Sequence, residues 1–216
     1  MEIYCFNHTD ISIKYLIDSL LDKNAIVNDT TIVSFGGGSS IISLSNYLNS
    51  KNIKHILIVP DDIDKNKEDI LVNNGADLIK ATTLFGYQEL IDLAKDISLE
   101  IEKSYFLNLL DIKLSFKAYV NDLKKIINNY SFDNIIIPIG SGIFIRSVSI
   151  YFKINTNCNI IGVSIKNKYK YKLSNLDSEE IDCLEELNNM DINYLNDKYP
   201  NSLIILEEGK YEDIKI

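Results

Sequence analysis

Short apolar runs recur along the chain, separated by longer stretches in which apolar residues return every three or four positions. The runs at 3–6, 31–35, 55–59, 77–80, 104–107, 134–139, 159–163 and 203–206 each predict a strand. The segments 11–21, 40–48, 65–73, 87–102, 116–128, 143–152 and 178–187 have helical period. In the first helix Ile13, Leu16, Ile17, Leu20 and Leu21 fall on one stripe, and Asp10 stands ahead of it as an N-cap. Alternation of strand and helix is the pattern of a parallel sheet covered on both faces. The fold class is therefore α/β, with parallel sheets covered by helices.

Two strand-to-helix junctions are glycine-rich. Ser34-Phe35-Gly36-Gly37-Gly38-Ser39-Ser40 follows one apolar run, and Gly140-Ser141-Gly142-Ile143-Phe144 follows another that ends in Pro138 and Ile139. Glycines let a ligand approach the backbone, and a helix start offers unpaired N–H groups to an anion. The first turn is not a dinucleotide or triphosphate fingerprint: Ile41 stands where a third glycine would be needed, and no P-loop lysine follows. Two such turns predict one ligand crevice at the carboxyl edge of a single sheet. Between them, 67–78 reads as a helix closed by Gly75 in the left-handed conformation and running into a strand.

Charge and composition narrow the partners. Lys plus Arg is 22 against 31 for Asp plus Glu, a net charge of −9, which opposes nucleic acid. The stretch Lys166 to Leu176, where Lys166, Lys168, Lys170 and Lys172 interleave with Tyr169 and Tyr171, is open to two readings, a stacking surface for single strands or a charge-protected strand edge, and the second is the commoner use of such a pattern. No run approaches the length of a membrane span, and the first residues lack a basic leader, so a cytoplasmic protein is expected, with no membrane partner. Cys5, Cys158 and Cys183 are odd in number and widely spaced, encoding neither a disulfide framework nor a zinc site, and no metal is expected. His8 and His55 are the only histidines, and His55 reads as a strand-edge residue rather than a ligand.

The order of these motifs over about residues 2–165 resembles the fold type II pyridoxal-phosphate-dependent enzymes, the tryptophan synthase beta-like group. Its members include cysteine synthase, threonine synthase, threonine and serine dehydratases, D-cysteine desulfhydrase and aminocyclopropane-carboxylate deaminase. The strand 203–206 with Glu207, Glu208, Gly209, Lys210 and Tyr211 is similar to the family's last strand and its ending. The resemblance implies two three-layer subdomains, reduced in size: 10–115 with the Gly/Ser loop, and 1–9 with 116–216 carrying the Gly-Ser-Gly loop. It also implies a substrate-carboxylate loop at Gly38, Ser39 and Ser40, with Ser39 replacing the family's cofactor-contacting Asn. The phosphate cradle falls on Gly140, Ser141 and Gly142; Ile143 and Phe144 replace a glycine and a hydroxyl, and Arg146 would supply charge. Glu207 or Glu208 would face the pyridine nitrogen. The Schiff-base lysine has two candidate positions: an ungapped alignment puts Thr9 there, whereas Asn7-His8-Thr9 with Ser12-Ile13-Lys14 puts Lys14 there.

Three functions follow. One is a pyridoxal-phosphate enzyme of small amino acid metabolism, working by β-elimination, β-replacement or deamination with Lys14 as base and anchor. The second is a cofactor-free paralogue that binds a small amino acid or related anion, or that partners an active relative; family habit implies a homodimer or such a heteromer. The third, a nucleotide-binding module at Gly36–Ser40, is opposed by the missing glycine, although Asp61 and Asp62 sit near the ribose-binding place.

Overall fold

The computed structural model describes residues 2–83, 87–129, 131–166 and 181–207. They divide into two compact units, Thr9–Leu109 and the pair of segments Met1–His8 and Leu110–Ile216. Among the described residues every strand pairing in both is parallel. The α/β class with parallel sheets flanked by helices is what the alternating pattern predicts.

The unit Thr9–Leu109 holds most of α1 (His8–Asp22), then β2 (Thr31–Phe35), α2 (Ser39–Ser50), β3 (His55–Pro60), α3 (Lys65–Asn73), β4 (Asp77–Ala81), α4 (Gln88–Glu100) and β5 (Ser104–Phe106). Its sheet has the order β4-β3-β2-β5. The two central strands carry the apolar runs: Ile32, Val33, Leu57, Ile58 and Val59 are fully buried. Both faces of such strands are covered, so the runs are continuous rather than alternating. Ile41, Leu44 and Leu48 of α2 bury the stripe that their spacing predicts. Asp64 caps α3 by accepting from the Lys67 amide at 3.3 Å, and Gly75 (φ 76°) ends the helix in the left-handed region. His55 is a buried core residue: Ser45 Oγ lies 2.8 Å from its Nε2 and the Ile53 carbonyl 3.0 Å from its Nδ1.

The other unit holds β1 (Glu2–Phe6), α5 (Ile112–Asn129), β6 (Asn134–Pro138), α6 (Ile143–Asn155), β7 (Asn159–Ile165), β8 (Cys183–Leu187), α7 (Ile192–Lys198) and β9 (Ser202–Glu207), with strand order β1-β9-β6-β7-β8. Ile135, Ile137 and Ile205 face one side of the sheet with Leu123, Ile126 and Phe152, while Ile136, Ile161 and Ile204 face the other with Ile192 and Leu195. Gly162 lets the segment after β6 and the start of α6 sit close on the sheet, because a Cβ there would lie 2.7 Å from Ile139 Cδ1 and 3.1 Å from Ile145 Cδ1 of α6.

Three expectations are corrected. Asp10 is not an N-cap, since α1 starts two residues earlier at His8; its carboxylate lies within the first turn, where the helix dipole still favours it. Residues 183–187 are a strand, not the end of a helix. They pair with β7, and Glu185 is buried between exposed Leu184 and Glu186, a period of two that a short acidic segment hides in sequence. The two glycine turns do not share one sheet, because β2 and β6 belong to different ones, and strand order is set by pairings that are not local. The interleaved Lys168, Tyr169, Lys170, Tyr171 and Lys172 lie outside the described residues, as do Glu208, Gly209, Lys210 and Tyr211.

Candidate functional site

Strand order makes each glycine turn special within its own sheet. From β2 the chain steps to β3 and β4 on one side, then returns to place β5 on the other. From β6 it steps to β7 and β8, then returns to place β9 on the other. Helices leaving such strands diverge, and the carboxyl ends there are the places where parallel sheets bind ligands. Gly36–Ser40 follows β2 and Gly140–Gly142 follows β6.

In the first unit the Gly36 amide bonds to the Ile58 carbonyl at 3.0 Å, prolonging the β2–β3 ladder to the mouth of the turn. Gly37 is tight for a side chain: a Cβ would sit 3.0 Å from Pro60 Cγ and 3.1 Å from Pro60 Cδ, so the proline ring would have to give way. Gly38 is exposed and is the N-cap of α2, with no side-chain capping bond, and Ser39 and Ser40 are half-buried in the first turn. Backbone N–H groups at such a start, backed by the helix dipole, favour a carboxylate. Lys67 Nζ donates to the Gly37 carbonyl at 3.4 Å, bringing a positive charge from α3 to the turn. Sequence reading missed this role, although Lys67 opens the Lys-x3-Leu-x3-Gly-Ala-Asp motif.

In the second unit Gly142 (φ 88°) is the N-cap of α6, a conformation suited to glycine, again with no side-chain cap. Ser141 is exposed; Arg146 is half-buried, its amide bonded to the Gly142 carbonyl at 3.0 Å. Glu207 ends β9 in register with Phe6 of β1. Phe144, in the first turn of α6, is buried against Tyr119 and stacked on His8, with ring centroids 3.8 Å apart and an interplanar angle of 5°. Tyr119 meets Phe144 edge-on at 5.1 Å. His8 and Tyr119 carried no role in the sequence, because the rings come together only in the fold.

Thr9 is 6% exposed, and its carbonyl accepts from Ser12 Oγ at 2.8 Å. Lys14, the one lysine of α1, is exposed beside the buried stripe of Ile13, Leu16 and Ile17 rather than in it. An internal Schiff base needs an amine of lowered pKa, which burial and neighbours provide. Thr9 has no amine, and exposed Lys14 lacks the burial. Bulk at Phe144, closed face to face by His8, leaves no space between those two rings for a third. These residues do not fit a pyridoxal phosphate held as an internal Schiff base.

Comparison with known proteins places the architecture. The O-acetylserine dependent cystathionine beta-synthase from Helicobacter pylori superposes with a TM-score of 0.75 at 19% identity, over 92% of this chain and 80% of that one. O-ureido-L-serine synthase superposes with a TM-score of 0.75 at 11% identity, over 95% and 82%. A hydrogen sulfide-producing enzyme solved with an alpha-aminoacrylate intermediate gives 0.72 at 17%, over 95% and 79%. No curated protein matches the chain in sequence. Residues 7–181, spanning both glycine turns and the strands that lead into them, match the family described as pyridoxal-phosphate dependent enzyme. The chain belongs to the pyridoxal-phosphate dependent enzyme family.

Proposed function

We propose that this chain is a non-catalytic member of its family that binds the carboxylate of a small amino acid, or a related anion, at Gly38, Ser39 and Ser40 without covalent pyridoxal phosphate. The observation that carries the proposal is Thr9, buried at the head of α1, where the ungapped alignment needs the lysine, while Lys14 is exposed. Supporting it are the glycine turn at the switch point of its sheet and the ammonium of Lys67 on the Gly37 carbonyl. The structural likeness to O-ureido-L-serine synthase and to an O-acetylserine dependent cystathionine beta-synthase supports small amino acids as the ligand class. A partner role beside an active relative belongs to the same reading.

Two measurements test it. Purified protein is incubated with pyridoxal phosphate, reduced with borohydride, and mapped by mass spectrometry for pyridoxyl-lysine. Stoichiometric labelling of Lys14 would overturn the proposal in favour of the catalytic reading, whereas scattered labelling across exposed lysines is expected. Calorimetry with L-serine and L-threonine is expected to show saturable binding that Ser39→Ala weakens. Heat changes indistinguishable from dilution for a panel of small amino acids would sink the carboxylate site.

A further inference from the structure

We propose that His8, Phe144 and Tyr119 form a built-in aromatic plug on the Gly140–Gly142 turn, shutting out a pyridoxal-type aromatic phosphate even as a non-covalent guest. The proposal extends the cofactor-free reading, and it concerns a different unit from the carboxylate turn. Parallel strands bring the three rings together. Because β1, β9 and β6 run the same way side by side, the residues that follow β1 and those that follow β6 emerge at one sheet edge. His8 follows β1, Phe144 opens α6 just after β6, and Tyr119 comes from α5.

The rings are mutually in contact. His8 lies parallel on Phe144 at 3.8 Å, Tyr119 stands edge-on to Phe144 at 5.1 Å, and Tyr119 is edge-on to His8 at 6.1 Å. Stacked rings at that separation are at van der Waals contact, so no guest ring enters between them without parting them. Phe144 cannot simply swing aside, because it packs in a close-packed cluster with Leu123, Ile126, Ile145 and Ile205. The turn keeps its left-handed glycine and uncapped helix start, while the space over its first helical residues is filled from within.

Pyridoxamine 5′-phosphate is the probe, since its amine cannot condense with surface lysines. Equilibrium dialysis is run on the wild type, His8→Ala, Phe144→Thr and the bulk-preserving control Phe144→Leu, each checked for native circular dichroism. Wild type and the control are expected to show no saturable binding, and His8→Ala and Phe144→Thr to bind at least ~tenfold more tightly. Saturable binding by the wild type overturns the plug and the cofactor-free reading together. Native His8→Ala that binds no better than wild type overturns the plug alone, and this variant decides the matter if Phe144→Thr fails to fold, since His8 is half-buried whereas Phe144 is buried within the apolar cluster. Proton NMR gives an independent check, for only His8 and His55 contribute imidazole signals. One of them is expected to be ring-current shifted in the wild type and to relax in Phe144→Leu; unshifted signals in the wild type would overturn the stack.

Discussion

Replacing Glu185 by Gln tests the electrostatics of the sheet edge. Glu185 lies on edge strand β8 with its side chain 10% exposed, and two groups of α7 and one from its C-cap converge on it. Lys198 Nζ donates to Oε1 at 2.7 Å, Tyr194 OH donates to Oε2 at 3.2 Å, and Tyr199 OH also donates to Oε1. Burial alone would raise the carboxyl, but the bonds from Lys198, Tyr199 and Tyr194 outweigh it and bring it from 4.5 down to about 2. Lys198 is correspondingly raised by the same contact, so the two displacements are one interaction seen from both ends. A displacement of that size is worth roughly 3 kcal/mol at most. Since the Lys198 side chain is 46% exposed, solvent screening brings the expected loss in Glu185→Gln to about 2 kcal/mol at pH 7.

The sign sets the pH window. A carboxyl whose folded value is depressed contributes stability above its unfolded value and loses it as pH falls through the folded one. The gap between wild type and Glu185→Gln is therefore expected to be full above pH 4.5, and to close as pH falls toward about 2. Urea unfolding by circular dichroism at stepped pH reads the gap, and hydrogen exchange locates it in β8 and α7 rather than in β2 and β3. A variant as stable as wild type at pH 7, or a gap that persists unchanged into strong acid, would refute the assignment.

Other positions carry equally direct expectations. Ser45→Ala leaves the buried His55 Nε2 without its 2.8 Å partner and should cost about 1–2 kcal/mol by chemical denaturation. Burial lowers the His55 pKa below 6.5, so its neutral form is the folded one; thermal stability should decline as pH drops below 6.5, and His55→Leu should remove that part of the decline. Gly162→Ala drives a Cβ to 2.7 Å from Ile139 Cδ1 and should destabilise by about 1–3 kcal/mol, with Ile139→Val restoring part of the loss in a double-mutant cycle. Lys67→Met should weaken amino acid binding by up to ~tenfold in calorimetry, and Lys67→Arg should retain most of it; equal affinity in Lys67→Met would remove Lys67 from the site.

How much of this was legible before folding depends on the range of the interaction. Strands β2, β3 and β6 were readable because Thr31–Phe35, His55–Pro60 and Asn134–Pro138 are runs rich in β-branched residues closed by glycine or proline. Helix α3 was readable over Lys65–Asn73 with the left-handed Gly75 closing it, although its cap at Asp64 was not. Strand β8 was not, since Cys183–Leu187 carries two acidic residues and only its pairing with β7 makes it extended. Helix α7 also escaped, being a single short turn-rich segment whose stability comes from Leu195 in the core and Lys198 on Glu185. At the candidate site, the glycine turns and the Thr9 or Lys14 choice were visible, but Lys67 and the ring trio were not.

The amino-acid order by itself determined the alternation of strand and helix, the two glycine turns and the family, because period, capping and turn chemistry act over a few residues and leave their mark in the chain. Tertiary structure alone decided that β2 and β6 each lie where their own sheet reverses direction, and that His8, distant in sequence from Phe144, stacks upon it. Those outcomes depend on which strands pair and on what fills the space between helices, and both are settled by contacts between residues far apart along the chain.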